Sequence, residues 1–407
     1  MMEEKRLVPK KRFKHREAEW NKLEFNQLLN ENDGIRRGPF GSALKKEFFV
    51  KNSKYVVYEQ QNAIYDHFNT RYNISKDKFE ELNRFELEPN DFIMSGAGTI
   101  GSIARVPNEI KKGVINQALI RIRIKEGVVD SEYFLQWIRS KNMQDRLKEA
   151  NPASAMENLI PMSDLKKWNI SIPNFKEQQK IGEFFKVLDE WIANQERKIA
   201  KVKALKEAYL TEMFPQEGET VPKRRFKGFT DEWNKHQLSE IANIVMGHSP
   251  KSINYTNNPN DHILVQGNAD IKNNKVRPRL WTTEITQTAH SGDIILTVRA
   301  PVGEVAKTNY NVVLGRGVSA IKGNEFLFQY LLKLKGDKYW ETLSTGSTFD
   351  SINSNDIKEL IIKLPSLKEQ QKIGSFFKNL DNQIEAEESK LEKLKKMKEA
   401  YLEEMFV

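Results

Sequence analysis

One heptad-patterned segment occurs twice in this chain, and no other feature limits the fold as strongly. Residues 172–214 read IPNFKEQQKIGEFFKVLDE…LKEAYLTEMF, and residues 364–406 read LPSLKEQQKIGSFFKNLDN…MKEAYLEEMF. Apolar side chains step by four and three through Ile181, Phe185, Leu188, Ile192, Ile199 and Val202, and again through Ile373, Phe377, Leu380, Ile384, Leu391 and Leu394. Such a seam predicts two long helices, each with a stripe that must be covered. Asn174 with Glu177, and Ser366 with Glu369, give each helix a start signal; Pro173 and Pro365 separate it from the strand-like runs 168–172 and 360–364.

The first helix leaves one half of the chain and leads to the other, whereas the second runs out to the C-terminus. Pairing within the chain then requires an antiparallel coiled coil with near twofold symmetry; separate packing on each half, or pairing between two chains, are the alternatives. Polar residues interrupt both seams at the same places, Gln195 and Lys206 in one copy and Glu387 and Lys398 in the other. Antiparallel pairing is expected to bring Gln195 towards Lys398 and Lys206 towards Glu387, fixing the register.

The net charge of +9 over 407 residues does not lie in these helices. Residues 174–214 carry 8 Lys and Arg against 7 Asp and Glu, and residues 366–407 carry 8 against 9, so the halves hold all of the excess. Basic halves suit a polyanion, although basic charge alone identifies no partner. The chain has no cysteine, which excludes disulfides, thiolate nucleophiles and cysteine-ligated metals; its six histidines form no metal-ligand spacing. No long apolar run and no secretory signal pattern is present, so a cytoplasmic location is expected. No phosphate-binding GxxxxGK[ST] motif occurs. Gly96-Ala97-Gly98-Thr99-Ile100-Gly101 spells GxGxxG, but the β-like run 102–107 follows it where a dinucleotide site needs a helix, so a turn between strands is expected.

The halves also echo each other. VPKKRFK from Val8 matches VPKRRFK from Val221, DFIMSGAGTIGSIA from Asp91 matches DIILTVRAPVGEVA from Asp293, and the amphipathic run from Ser131 matches that from Asn324. One mixed α/β (α+β) fold used twice, with a shared frame and different loops, is the expected architecture. Arginine suits guanine, Asn and Gln suit adenine, and Lys and hydroxyls suit phosphate. The candidate DNA-contacting residues in the first half are therefore Arg36, Arg37, Ser42, Lys45, Lys46, Gln60, Asn62, Asn116 and Gln117. In the second they are Ser249, Lys251, Tyr255, Asn268, Arg299, Arg316, Thr345 and Ser347, with Gln60 and Asn62 aligned on Gln266 and Asn268, and Asn116 and Gln117 on Gly315 and Arg316.

A basic variable half, a helix with PxxKEQQKIGxFF ending in KEAYLxEMF, a second variable half and a second copy of the helix together resemble the specificity (S) subunits of type I restriction-modification enzymes. The resemblance covers the whole chain, and GPFGSALKK in the first half adds to it. It implies target recognition domains at 1–172 and 215–364, and conserved spacer helices at 173–214 and 365–407. It further implies a bipartite double-stranded DNA target and a non-catalytic role, with no cofactor on this chain. Two methyltransferase (M) subunits would bring S-adenosylmethionine, and restriction (R) subunits would bring ATP and Mg. A stand-alone DNA-binding protein, an enzyme using the GAGTIG loop and a coiled-coil scaffold are the competing readings.

Overall fold

The strand Phe92–Ser95 is buried along its whole length, and its residues alternate between two hydrophobic cores. Phe92 and Met94 face a core shared with the helix Ser131–Arg139, while Ile93 faces a core shared with the strand Tyr55–Tyr58. Side chains of a strand point alternately to opposite faces, so this one strand belongs to the middle layer of three. In the computed structural model, which describes residues 8–14, 19–150, 161–344 and 351–407, that layer is a four-stranded antiparallel sheet. Its order is Ile35–Arg37, Leu119–Ile122, Phe92–Ser95 and Ile103–Arg105. The second sheet runs Phe49–Val50, Tyr72–Ile74, Tyr55–Tyr58 and Gly113–Ile115, the last pair being parallel.

The chain divides into two units, residues 1–196 with 390–407, and residues 197–389. The second unit repeats the layers of the first. Ile294–Thr297 takes the place of Phe92–Ser95, with Ile294 and Leu296 facing one core and Ile295 the other. Its two larger sheets keep the same neighbour order and extend it. The hairpin Ile271–Lys272 with Lys275–Val276 lengthens one, and Gln287–Ala289 lengthens the other. GAGTIG joins the antiparallel strands Phe92–Ser95 and Ile103–Arg105, with no helix after it.

Both repeats are helices, Phe175–Glu212 and Leu367–Glu404, of 38 residues each. Their starts are capped as expected: the Asn174 side chain accepts from the Glu177 amide at 3.0 Å, and Ser366 from the Glu369 amide at 3.4 Å. The unit boundaries fall inside both helices rather than at their ends, because each unit takes the start of one helix and the end of the other. Within the first unit Lys398 pairs with Asp189 and Lys395 with Glu196; within the second Lys198 pairs with Glu387 and Lys206 with Asp381. In each unit rising numbers on one helix meet falling numbers on the other, so the helices run antiparallel there. The expected register is corrected: Lys206 meets Asp381 rather than Glu387, and Lys398 meets Asp189. Ile181, Phe185, Leu188, Ile199, Ile373 and Phe377 are buried, and Ile192, Val202, Leu380, Ile384, Leu391 and Leu394 are half-buried.

The matching VPK[KR]RFK segments hold both helices in each unit. Arg12 forms a two-pronged bond to the fully buried carboxylate of Glu177, at 2.6 and 2.8 Å; Arg225 does the same to Glu369, at 2.6 and 2.7 Å. Lys11 lies over the Tyr401 ring and Arg224 over that of Tyr209, while Phe13 packs edge-on against Phe184 and Phe226 against Phe376. Part of the basic charge in the halves is thus a helix clamp. Glu177 and Glu369 serve Arg12 and Arg225, so only the Asn174 and Ser366 side of the expected start signals works as a cap.

The rest of KEQQKIG is equally structural. Gln178 accepts from the Asp130 amide and donates to the Val128 and Pro173 carbonyls; Gln370 accepts from Asn324 and donates to the Pro365 carbonyl. Gly182 and Gly374 let a second helix start against this surface. A Cβ on Gly182 would stand 2.8 Å from the Tyr133 nitrogen, and one on Gly374 2.9 Å from the Phe326 nitrogen. The closing EMF motif fills the apolar space that remains. Phe406 packs with Tyr133 and Phe185, and Phe214 with Trp233, Phe326, Tyr330 and Phe377.

Candidate nucleic-acid interface

Three loops meet at one end of the sheets in the first unit. The backbone at Gly38 lies so close to the Asn116 carbonyl that a Cβ would sit 1.8 Å from its oxygen, which ties the loop after Ile35–Arg37 to the loop before Leu119–Ile122. Arg37 donates to the Gly96 carbonyl at 3.1 Å, and Gln60 donates to the Ser95 hydroxyl at 2.7 Å and to the Ala97 carbonyl. Arg37, Gln60 and Asn116 are therefore gathered around the GAGTIG turn. Arg36 is held by Asp33 at 2.8 to 3.0 Å. Burial pushes the Asp33 carboxyl up, but the hydrogen bond from Arg36 and the charges of Arg121 and Arg36 outweigh it and hold it below the usual range. Ser42, Lys45, Lys46 and Gln117 are exposed, and Asn116 is half-buried.

The second unit gathers the corresponding loops. A Cβ on Gly247 would meet the Gly315 oxygen at 2.0 Å, repeating the close approach of Gly38 to Asn116. The Ser249 hydroxyl accepts from the Arg316 amide at 2.9 Å, and the Val298 amide donates to the Gly317 carbonyl at 2.9 Å, which brings the turn carrying Arg299 to the same place. Lys251, Asn268, Arg299 and Arg316 are exposed, whereas Ser249 and Tyr255 are half-buried, the Tyr255 hydroxyl accepting from Gln266 at 2.9 Å. Glu284 fastens the loop by accepting from Asn254 and from the Lys251 amide, and these two bonds hold its carboxyl below the usual range. Thr345 and Ser347 lie outside the described residues.

Two sequence expectations need correction. Asn62 is 0% exposed; its oxygen accepts from the Glu59 amide and its nitrogen donates to the His67 and Asn69 carbonyls, so it builds the turn and cannot reach DNA. The alignment of Gln60 and Asn62 on Gln266 and Asn268 also shifts. The parallel pairs Tyr58 with Ile115 and Val265 with Leu314 set the frames, which places Gln266 at the level of Glu59. Asp270, accepting from the Gln266 and Gly267 amides, does in the second unit what Asn62 does in the first. The same register keeps Asn116 with Gly315 and Gln117 with Arg316.

Sequence reasoning missed the exposed apolar residues of these loops, Phe40 and Ile253, because periodicity marks buried positions and gives no signal for a lone hydrophobe in a loop. It also missed the Arg12–Glu177 and Arg225–Glu369 locks, although the identical residues in both copies were the available signal.

Two α/β units of one design, each presenting a cation-bearing loop cluster at the same end of its sheets, define the class: a duplicated recognition protein. The sequence matches the type I restriction modification DNA specificity domain over residues 40–204 and again over 230–396, so the chain belongs to that family. It is a specificity subunit of a type I restriction-modification system with two target recognition domains. A putative type I restriction enzyme MjaX specificity subunit from Methanocaldococcus jannaschii is 25% identical over 335 residues, 79% of this chain and 78% of that protein. The S subunit of a type I restriction-modification system from M. genitalium shares the fold at a TM-score of 0.63 and 18% identity, over 98% of this chain and 99% of that one. A chain from a structure describing complex assembly and conformational transition of a type I R-M system gives 0.59 and 21%, over 94% and 96%.

Proposed function

We propose that the two loop clusters each bind one part of a bipartite double-stranded DNA target, and that this chain is not itself an enzyme. The observation that carries the reading is the pairing of a constant frame with divergent loops. The clamps, caps and sheet orders of the two units match, whereas the loops 38–48 and 247–254 keep their anchoring glycine, exposed cations and an exposed apolar side chain but differ in most other residues. A protein that must read two different sequences with one architecture needs this division. In this reading Lys45, Lys46, Lys251 and Arg316 would meet phosphates, and Arg37, Gln117 and Arg299 base edges. Ser42, Gln60, Asn116, Ser249, Tyr255 and Asn268 support these contacts.

Methylation and cleavage then come from partners: two M subunits with S-adenosylmethionine, and R subunits with ATP and Mg, in the cytoplasm. Among the described residues no helix is long and apolar enough to cross a membrane. The test is co-expression with a cognate methyltransferase subunit, followed by sequencing of modified adenines in the host DNA. A two-part motif is expected, and exchanging residues 25–165 for those of another specificity subunit should change one part only. A single continuous motif, or modification independent of this chain, would overturn the reading.

A further inference from the structure

The corresponding loop of each unit carries one strongly exposed apolar side chain, two residues after Gly38 in the first unit and six after Gly247 in the second. The loop between Ile35–Arg37 and Phe49–Val50 carries Phe40, 65% exposed; the loop between Asn243–Met246 and Tyr255–Thr256 carries Ile253, 86% exposed. Single exposed hydrophobes are common and alone mean little. Here the loop sequences GPFGSALKK and GHSPKSINY have diverged, yet each keeps one. Neither is a slack tip. Phe40 caps the 3-10 turn Gly41–Leu44 just after Gly38 is wedged against Asn116, and Ile253 lies within the turn Ser252–Asn254, both of whose ends are fastened to Glu284. Both are flanked by cations. The Arg37 guanidinium lies 5.8 Å from the Phe40 ring centroid, and Lys251 precedes Ile253 by two positions.

Rigid presentation among phosphate-seeking charges points an apolar group at a base edge. Duplex DNA offers one apolar group in the major groove, the thymine 5-methyl, and every A·T pair has one. Building on the DNA-binding reading above, we propose that Phe40 and Ile253 each contact a thymine methyl in the part of the target bound by their unit, and so help to set specificity.

The test uses the full chain in complex with its methyltransferase subunits. Once the methylated motif is mapped, binding is measured on duplexes in which thymines are replaced one at a time by uracil, which lacks only the methyl. Wild-type complex should lose about five- to tenfold in affinity at a specific thymine in each part of the motif. Phe40→Ala and Ile253→Ala should each lose a similar factor on the thymine duplex, lose nothing further on the corresponding uracil duplex, and keep the same salt dependence. Phe40→Leu and Ile253→Val, which keep an apolar surface on the same turn, should retain part of the discrimination. Unchanged affinity in both alanine variants overturns the proposal. So does a loss of equal size on thymine and uracil duplexes, the result expected from insertion between base steps. If the wild-type complex yields no two-part motif, the DNA-binding reading itself fails, and this inference with it.

Discussion

Lys206 donates to Asp381 at 2.6 Å, and Asp381 also accepts from Gln329 at 2.8 Å. The first unit builds the same trio from Lys398, Asp189 and Gln136, at 2.5 and 2.9 Å. In each unit one aspartate on a long helix thus ties together the other long helix and a helix of the recognition domain. The lysine is well shielded in the second unit, at 7% exposure, so removal of its partner matters more than removal of the lysine itself.

Asp381→Ala strands the Lys206 ammonium and leaves the Gln329 amide with only its bond to Glu325, and is expected to cost about 1–3 kcal/mol, discounted because Asp381 is partly open to water. Lys206→Met leaves Asp381 with Gln329 and solvent and should be close to neutral. Urea denaturation of the two variants gives the comparison, and equal losses would contradict the trio's asymmetry.

Gly182→Ala should destabilise, against the helix propensity that favours alanine by about 1 kcal/mol. The new Cβ would stand 2.7 Å from an Asp130 carboxylate oxygen and 2.8 Å from the Tyr133 amide nitrogen, so a helix start must move. A net loss of about 1–3 kcal/mol in thermal or chemical unfolding is expected, as for other overpacked contacts.

Asn62→Ala and Arg316→Ala should fail in different ways. The buried Asn62 side chain holds three backbone groups of its turn, so its loss lowers stability by about 2 kcal/mol. Arg316 is exposed, so its loss should leave the melting temperature unchanged while weakening DNA binding and, if it meets a phosphate, lowering the salt slope by about one. Melting curves and salt-dependent binding separate the two.

Burial pushes the Tyr58 phenol up from 10.0 to about 12. The folded state therefore holds this proton over a range where the unfolded chain releases it, and stability should fall as pH rises from about 10 to about 12. Tyr58→Phe should flatten that part of the profile at the expense of the hydrogen bond to the Lys111 carbonyl. Unfolding midpoints measured across this range test the sign.

The helices and the duplicated frame were legible because their signals are local and periodic: Ile181 with Phe185, or Phe92 with Met94, announce a buried face by spacing alone. Asn62 was misread because an asparagine that satisfies a turn and one that reads a base look alike in sequence, and only its neighbours in space tell them apart. The polar register was misread for a similar reason. A heptad pattern says that Lys206 faces the partner helix, but not which residue there carries the counter-charge: Asp381 lies beside the seam residue Leu380, about 120° round the helix from the seam position Glu387.

The sequence by itself therefore determined that two like halves alternate with two like helices, that the helices are neutral while the halves are basic, and which family the pattern resembles. Tertiary structure alone decided what the repeated motifs are for. VPK[KR]RFK closes over both helices, KEQQKIG receives it, and EMF seals the core, because Arg12 and Glu177 or Phe214 and Trp233 meet only after distant segments have folded together. It also decided which polar residues remain free for a partner, since a side chain's availability depends on whether burial and nearby backbone groups have already claimed it.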